Sequence, residues 1–401
     1  MGEWRECSLG DLIELKRGYD LPQQRRLPGT VPIVSSSGIT DFHSESMVTG
    51  PGVVTGRYGT LGQVFYIQDN FWPLNTTLYV RDFKGNDPRF ISYFLKSIDF
   101  FAYSDKAAVP GLNRNDLHQA RVLYPVKKTE QQAISSLLGA LDDKIDLNRK
   151  INETLEAMAR LFFKDWFVDF GPTHAKAEGH PPYLAPELWA LFPDALDDED
   201  KPVGWVPTRL GDIAEGVTRI VSPSQVEPET PYIGLEHMPR RSIALDSWEG
   251  AGKVTSGKLH FRSGEFLFGK LRPYFHKVGI APVDGICSTD IVVCKPKQDT
   301  AYGLVLSILS SDEFVAYTDQ TSTGTKMPRT SWSIMSRYEV MLPSEPILES
   351  FNNLLAPWIR LINANIHENR TLIQARDLLL PKLMSGEVRI REAENIVGAV
   401  A

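Results

Sequence analysis

The chain has no apolar run approaching the roughly 18–20 residues that a membrane-spanning helix needs. Its first twelve residues, "MGEWRECSLGDL", hold no signal-peptide core, and Glu6 stands where an N-myristoylation signal needs Ser or Thr. Cysteine is scarce. The three thiols, Cys7, Cys287 and Cys294, are odd in number and scattered, which fits reduced buried thiols in a cytosol better than a disulfide framework or a zinc site. The eight histidines, His43, His118, His174, His180, His237, His260, His276 and His367, show no metal spacing such as H-E-x-x-H. No metal site is expected.

Enzyme signatures are also missing. "GEFLFGKL" (residues 264–271) nearly makes a phosphate loop, but Leu271 replaces the magnesium-binding Ser or Thr. It reads as a strand and turn. The glycines of residues 56–62 have the wrong spacing for a dinucleotide fingerprint. There is no G-x-S-x-G elbow and no Asn/Asp-Pro-Pro-aromatic methyltransferase loop, since the lone Pro-Pro, Pro181-Pro182, follows His180. No catalytic residue is therefore assigned. A net charge of −7 argues against indiscriminate DNA affinity, although local patches decide such binding. Acid concentrates in "DALDDED" (residues 194–200). Base gathers at Lys253, Lys258, Arg262, Lys270, Arg272 and Lys277, with only Glu265 against it.

What the sequence does hold is a repeat, the feature to seek first because it resets the whole fold. "WRECSLGDLIE" (residues 4–14) matches "WVPTRLGDIAE" (205–215). "VPGLNRNDLHQARVLYPV" (109–126) matches "MPRTSWSIMSRYEVMLPS" (327–344) at a constant offset, with Pro110 on Pro328, Val122 on Val340 and Pro125 on Pro343. A long helical pattern follows each. The expected organisation is a first globular domain at residues 1–125, a long helix at 126–168, a linker at 169–203, a second domain at 204–343, a second helix at 344–385 and a tail at 386–401.

Within each domain, β-branched and aromatic runs alternate with Gly, Pro and Asn turns and are followed by one helix, "PRFISYFLKSIDFFAYS" or "AYGLVLSILSSDEFVAYT". The fold class is α+β. In the linker, Trp189, Leu191 and Phe192 are too apolar to stay in water and are expected to dock.

The helices carry apolar residues in alternating steps of four and three, the spacing of a coiled-coil seam. In the first the stripe runs Ile134, Leu138, Leu141, Ile145, Asn148, Asn152, Leu155, Ala159, Phe162, Trp166. In the second it runs Phe351, Leu355, Trp358, Ile362, Asn365, Asn369, Leu372, Arg376, Leu379, Leu383. Asn interrupts both at the same two layers, and Asn at a seam fixes register at a cost in stability. An antiparallel pairing is expected, with Asn148 near Asn369, Asn152 near Asn365, and the domains at opposite ends of the strut.

Two similar heads on a two-fold frame suit duplex DNA, whose half-sites would differ because the heads have diverged. At this point the chain resembles the specificity subunit of type I restriction–modification systems over almost its whole length. The resemblance rests on the two domains, each ending in a Leu/Tyr-Pro step. It rests also on residues 130–172, on "AKAEG", "LFPD" and the Gly-Trp-Val-Pro restart at Gly204, and on "LLLPKLMSGEVRI" (378–390). It implies a non-catalytic subunit that reads a bipartite, asymmetric DNA target. Its helices would fix the spacer and bind two methyltransferase subunits, with restriction–translocase subunits in the full complex. S-adenosylmethionine, and ATP with magnesium, would then sit on the partners.

Candidate DNA contacts are basic or amide side chains on Gly-rich loops, because Arg pairs bidentately with guanine and Asn with adenine. In the first head these are Arg57, Tyr58 and Thr60, then Lys106, Asn113 and Arg114. In the second they are Lys270, Arg272, Tyr274 and Lys277, then Thr325, Lys326 and Arg329. "KRGYDLPQQRR" (16–26) is a further basic stretch with a weaker claim. Two other readings stay open from the residues alone: a scaffold whose heads bind peptides or proteins, and the specificity chain of a type II-like modification–cleavage enzyme.

Overall fold

The computed structural model describes residues 3–104, 111–324 and 326–398. The chain divides into two compact units, residues 1–145 with 371–401, and residues 146–370. Each unit holds one α+β head and part of both long helices, Lys128–Phe163 and Glu345–Ser385. No helix among the described residues is long and apolar enough to cross a membrane.

The repeat seen in the sequence is a repeat of backbone pairing. In the first head the opening strand Trp4–Ser8 lies antiparallel to the closing strand Arg121–Pro125, with Arg5 opposite Tyr124 and Cys7 opposite Val122. In the second, Val206–Arg209 lies against Glu339–Leu342, with Val206 opposite Leu342 and Thr208 opposite Val340. Every matched pair falls at the sequence offsets of the two aligned motifs. Each head then has a four-stranded sheet of the same order. In the first it runs Glu14–Arg17, Thr77–Asp82, Gly52–Gly56, Val64–Ile67. In the second it runs Ala214–Val217, Ile291–Pro296, Phe266–Gly269, Val278–Ile280. "GEFLFGKL" is thus a central strand and its turn. A third sheet has diverged, with three strands in the first head and five in the second.

The single helix expected after these strands is split in both heads. Helix Pro88–Lys96 gives way to a 3-10 turn, Phe100–Tyr103, where the Asp99 carboxylate accepts from the Phe101 N–H. Helix Tyr302–Leu309 gives way to Asp312–Gln320, where Ser311 accepts from Phe314 N–H. A capping side chain offers the backbone a better start than continuation does.

The helix stripes are buried or half-buried, and the helices run antiparallel within each unit. In residues 146–370, Trp166 packs on Phe351 with ring centroids 5.5 Å apart and Phe162 on Trp358 at 5.9 Å. Asn365 Nδ2 donates to Asn152 Oδ1 at 2.8 Å, and Asn148 Nδ2 donates to Asn369 Oδ1 at 2.9 Å. All four amides are buried, at 0–5% exposure, so each layer is closed by an amide–amide hydrogen bond across the seam, while Asn148 Oδ1 is left without a partner among the described residues. In the other unit, Leu141 and Ile145 cluster with Leu372.

Each head is bound to its own stretch of helix by polar contacts that centre on Asp142 and Glu156, two carboxylates off the first stripe. In the first unit, Asp142 accepts from Tyr93 Oη at 2.6 Å and from Arg376 Nη1 at 2.8 Å, joining the head to both helices. Burial works to raise this carboxyl, but the hydrogen bonds from Arg376 and Tyr93 outweigh it and hold it below its ordinary value. In the second unit, Glu156 is 3% exposed. It accepts from Ser242 Oγ at 2.7 Å and from the Ile243 N–H at 3.1 Å. There burial prevails and its carboxyl is raised. The Arg370 guanidinium of the second long helix lies 4.0 Å above the Trp248 ring, a cation–π contact.

The linker docks as its apolar residues require. Phe192 is buried edge-on to Trp166 at 5.2 Å, Leu191 packs on the same core, and Trp189 meets Tyr183 at 5.4 Å. The segment expected to be a C-terminal tail instead forms helix Ile390–Gly398. Its Ala393 is buried in the first unit's core, with Ile390, Ile396 and Val397 packed against that core. Those apolar residues recur at helical spacing, which is why the segment folds back. Cys7, Cys287 and Cys294 are unpaired, and burial pushes the Cys287 thiol up to about 12.

Candidate nucleic-acid interface

The two heads carry the same cleft at the same place. In the first head, strand Gly52–Gly56 ends in the 57–62 loop. Arg57 N donates to Thr76 O at 2.9 Å, Leu112 N donates to Arg57 O at 2.9 Å, and Tyr58 bridges Gly111. In the second, strand Phe266–Gly269 ends likewise. Lys270 N donates to Asp290 O at 2.9 Å, Thr330 N donates to Lys270 O at 3.0 Å, and Leu271 bridges Arg329. Arg57 thus corresponds to Lys270, Tyr58 to Leu271, and Gly111 to Arg329. Short helices Arg114–His118 and Trp332–Met335 follow at matching positions.

The first cleft, about 390 Å³, is lined by Arg17, Arg57, Tyr58, Asn113, Arg114 and Asn115, over a floor of Leu78, Gly111 and Leu112. It contains three guanidinium groups and no carboxylate among its described lining residues. Such a wall repels itself unless an anion or an acceptor-rich surface fills it. Arg57 is poised 4.7 Å over the Tyr58 ring, and Tyr58 is 43% exposed. The ring sits over Gly111, where a Cβ would fall 2.5 Å from Tyr58 Cε1, so the close approach requires glycine. Arg114 is steadied by Asn115 Oδ1 at 3.3 Å, and Asn113 Oδ1 accepts from the Asn115 N–H at 3.0 Å.

The second cleft, about 290 Å³, is lined by Gly216, Thr218, Lys270, Thr289, Ser331 and Trp332, with Val217, Leu259 and strand residues 291–293 behind them. The Trp332 indole takes the place of Arg114 and lies against Gly216, where a Cβ would come within 2.5 Å of Trp332 Cγ.

Of the residues singled out from sequence, Arg57, Tyr58, Asn113 and Arg114 converge on one cleft and Lys270 lines the other. Thr60 is exposed on the loop beside the first. Arg272 and Tyr274 lie on the neighbouring turn, where the Phe275 ring has Arg240 over it at 4.1 Å and Arg272 at 5.9 Å. Lys326 and Arg329 are exposed on the adjoining loop, with Arg329 3.4 Å from Asp290. Lys277 is not brought to the cleft. Its ammonium donates to Leu235 O, and burial, with the Arg240 charge, lowers its pKa. Lys106 and Thr325 lie outside the described residues.

From the basic stretch at 16–26 only Arg17 reaches the cleft. Lys16 meets Tyr19 Oη at 3.4 Å, and Arg26 pairs with Asp41 at 2.9 Å. Trp332, Ser331 and Thr218 escaped a search for basic loops, yet aligning the repeat places Trp332 on Arg114 and Thr218 on Arg17. A separate, more enclosed cavity of about 130 Å³ lies beside the long helices, lined by Leu155, Phe163, Leu306 and Trp358 among others. Its walls mix aliphatic and aromatic side chains with the charged Glu156, Arg160, Lys164, Asp312 and Glu313. Among the described residues, no group of three or more His, Cys, Asp or Glu side chains is placed to hold a metal ion.

Residues 1–157 match the family model of the type I restriction modification DNA specificity domain. The chain is 25% identical over 465 residues to the type I restriction enzyme HindI specificity subunit of Haemophilus influenzae, covering 97% of this chain and 100% of that one. It is 27% identical over 316 residues to the MjaIX specificity subunit of Methanocaldococcus jannaschii, covering 75% and 67%. The chain is thus similar to type I restriction–modification specificity subunits. A crystal structure of the type I restriction–modification S subunit from M. genitalium shares the fold, with a TM-score of 0.63 at 15% identity over 96% of each chain. That similarity makes the paired clefts, rather than the enclosed cavity, the site of interest.

Proposed function

We propose that this chain is the non-catalytic DNA-recognition subunit of a type I restriction–modification complex, each head reading one half of a bipartite, asymmetric duplex target. One observation carries the reading: a single backbone cleft occurs in both heads with different side chains on its walls. Two half-sites of different sequence call for a shared frame and unlike walls. The guanidinium groups of the first cleft suit phosphate and base-edge acceptors together.

The long helices hold the spacer between half-sites and dock two methyltransferase subunits. Restriction–translocase subunits join in the full complex. S-adenosylmethionine, and ATP with magnesium, belong to those partners, and the complex works in the cytoplasm.

The test is selection of preferred sites from randomised duplex DNA by the complex assembled with its methyltransferase subunit. The expected result is two defined half-sites separated by a spacer of fixed length and indifferent sequence. Binding should weaken linearly with the logarithm of salt concentration. A complex that binds all duplexes equally would overturn the reading.

A further inference from the structure

Resting on that reading, we propose that the first cleft selects guanine through Arg57 and Arg114, and that the second selects thymine through apolar contact of Trp332 with the base methyl. The equivalence of the two clefts makes their differences legible position by position.

Arg114 and Arg57 are both oriented by neutral groups. Asn115 Oδ1 lies 3.4 Å from Arg114 Nε and 3.3 Å from Nη2, while the Tyr58 ring supports Arg57. Orientation without a carboxylate leaves the charge uncompensated and the planar fork directed. That is the donor geometry that matches the two acceptors on the major-groove edge of guanine.

In the second cleft the forks are gone. Lys270 replaces Arg57, and an ammonium is a point charge without a planar donor pair. Thr218 replaces Arg17, and Ser331 replaces Asn113. Trp332 replaces Arg114, and Gly216 replaces Leu15, which in the first head is fully buried. The missing side chain at Gly216 is what admits the indole. A wall of one indole, one ammonium and the three hydroxyls of Thr218, Thr289 and Ser331 discriminates best by contact with the one apolar group in the major groove, the thymine methyl.

The test uses the complex assembled with its methyltransferase subunit and competition binding on its selected site. Arg114→Gln and Arg57→Gln should each abolish a preference for guanine at one position of one half-site, by roughly 5- to 150-fold, and leave the other half-site unchanged. Replacing each thymine by deoxyuridine removes only the methyl. It should weaken the unaltered complex at a position in the other half-site, and Trp332→Ala should erase that sensitivity. The deoxyuridine scan needs no variant, so misfolding cannot confound it.

Guanine assignment falls if the arginine variants weaken every sequence evenly and flatten the salt dependence, which is the behaviour of phosphate contacts. Thymine assignment falls if no deoxyuridine in the second half-site matters. An unaltered complex without any sequence preference would instead defeat the DNA-recognition reading beneath both.

Discussion

Asp142→Asn is expected to loosen the first head from both long helices at once. The carboxylate is 21% exposed and accepts two charge-assisted hydrogen bonds, from Tyr93 and Arg376, with Lys96 Nζ 3.8 Å away. Hydrogen bonds to charged groups contribute about 1.5–3 kcal/mol each. Asparagine keeps one acceptor oxygen and turns the other into a donor that must face Tyr93 or Arg376. Tyr93 can turn its hydroxyl to accept from that donor, but both bonds lose their charge assistance and the charge of Arg376 is left to Asp377, 2.7 Å away. The cost should be about 2–4 kcal/mol, or roughly 5–15 °C in the melting of a unit of this size.

The sign of the pH dependence follows from the lowered carboxyl. Such a group stabilises the fold above its unfolded value, about 3.9, and the contribution is lost as pH falls through the folded value. The gap between wild type and Asp142→Asn should therefore be constant near neutrality and close below about pH 4. Urea unfolding at several pH values, with a double-mutant cycle against Tyr93→Phe, measures both. A coupling below about 0.5 kcal/mol, or a gap unchanged at low pH, would refute the hub.

Three further outcomes are expected. Asn152→Leu alone should cost about 1–3 kcal/mol by stranding the Asn365 amide, and the double substitution with Asn365→Leu should recover most of it in urea unfolding. Glu156→Gln should match or exceed wild-type stability at neutral pH. The raised carboxyl makes ionisation a burden that grows as pH rises above the ordinary glutamate value, whereas Glu156→Ala should destabilise by leaving the Ile243 N–H unpaired. Gly216→Ala should displace the Trp332 indole, cost about 1–3 kcal/mol by overpacking, and impair reading of one half-site only, as judged by competition with DNA altered in each half separately.

The repeat, the helix stripes and the meeting of the Asn layers were legible because periodicity and alignment both report backbone geometry. The alignment that sets Val122 on Val340 is the same one that sets the strand ladders. Contacts made off the stripe were not legible. Asp142 and Glu156 are charged residues on otherwise ordinary helical turns, and only the packed heads give them partners. Lys277 reads as a basic loop residue but spends its donor on a backbone carbonyl. Of the thirteen residues singled out for DNA, those in the first cleft converge best, because charge there is the signal. In the second cleft the telling change is a missing side chain at Gly216, which a search for basic residues passes over.

The ladders Trp4–Ser8 with Arg121–Pro125 and Val206–Arg209 with Glu339–Leu342 close each head on itself. Chain entry and exit therefore stand side by side, at one seam per head. Everything between the paired strands can be exchanged as a cassette, provided the graft preserves the few contacts its flanking helices make. A crossover in the short motif before each head, and another in the motif after it, would deliver a new target sequence in a single step. Heritable change of specificity would then proceed by swapping modules, with the helical frame as the invariant chassis.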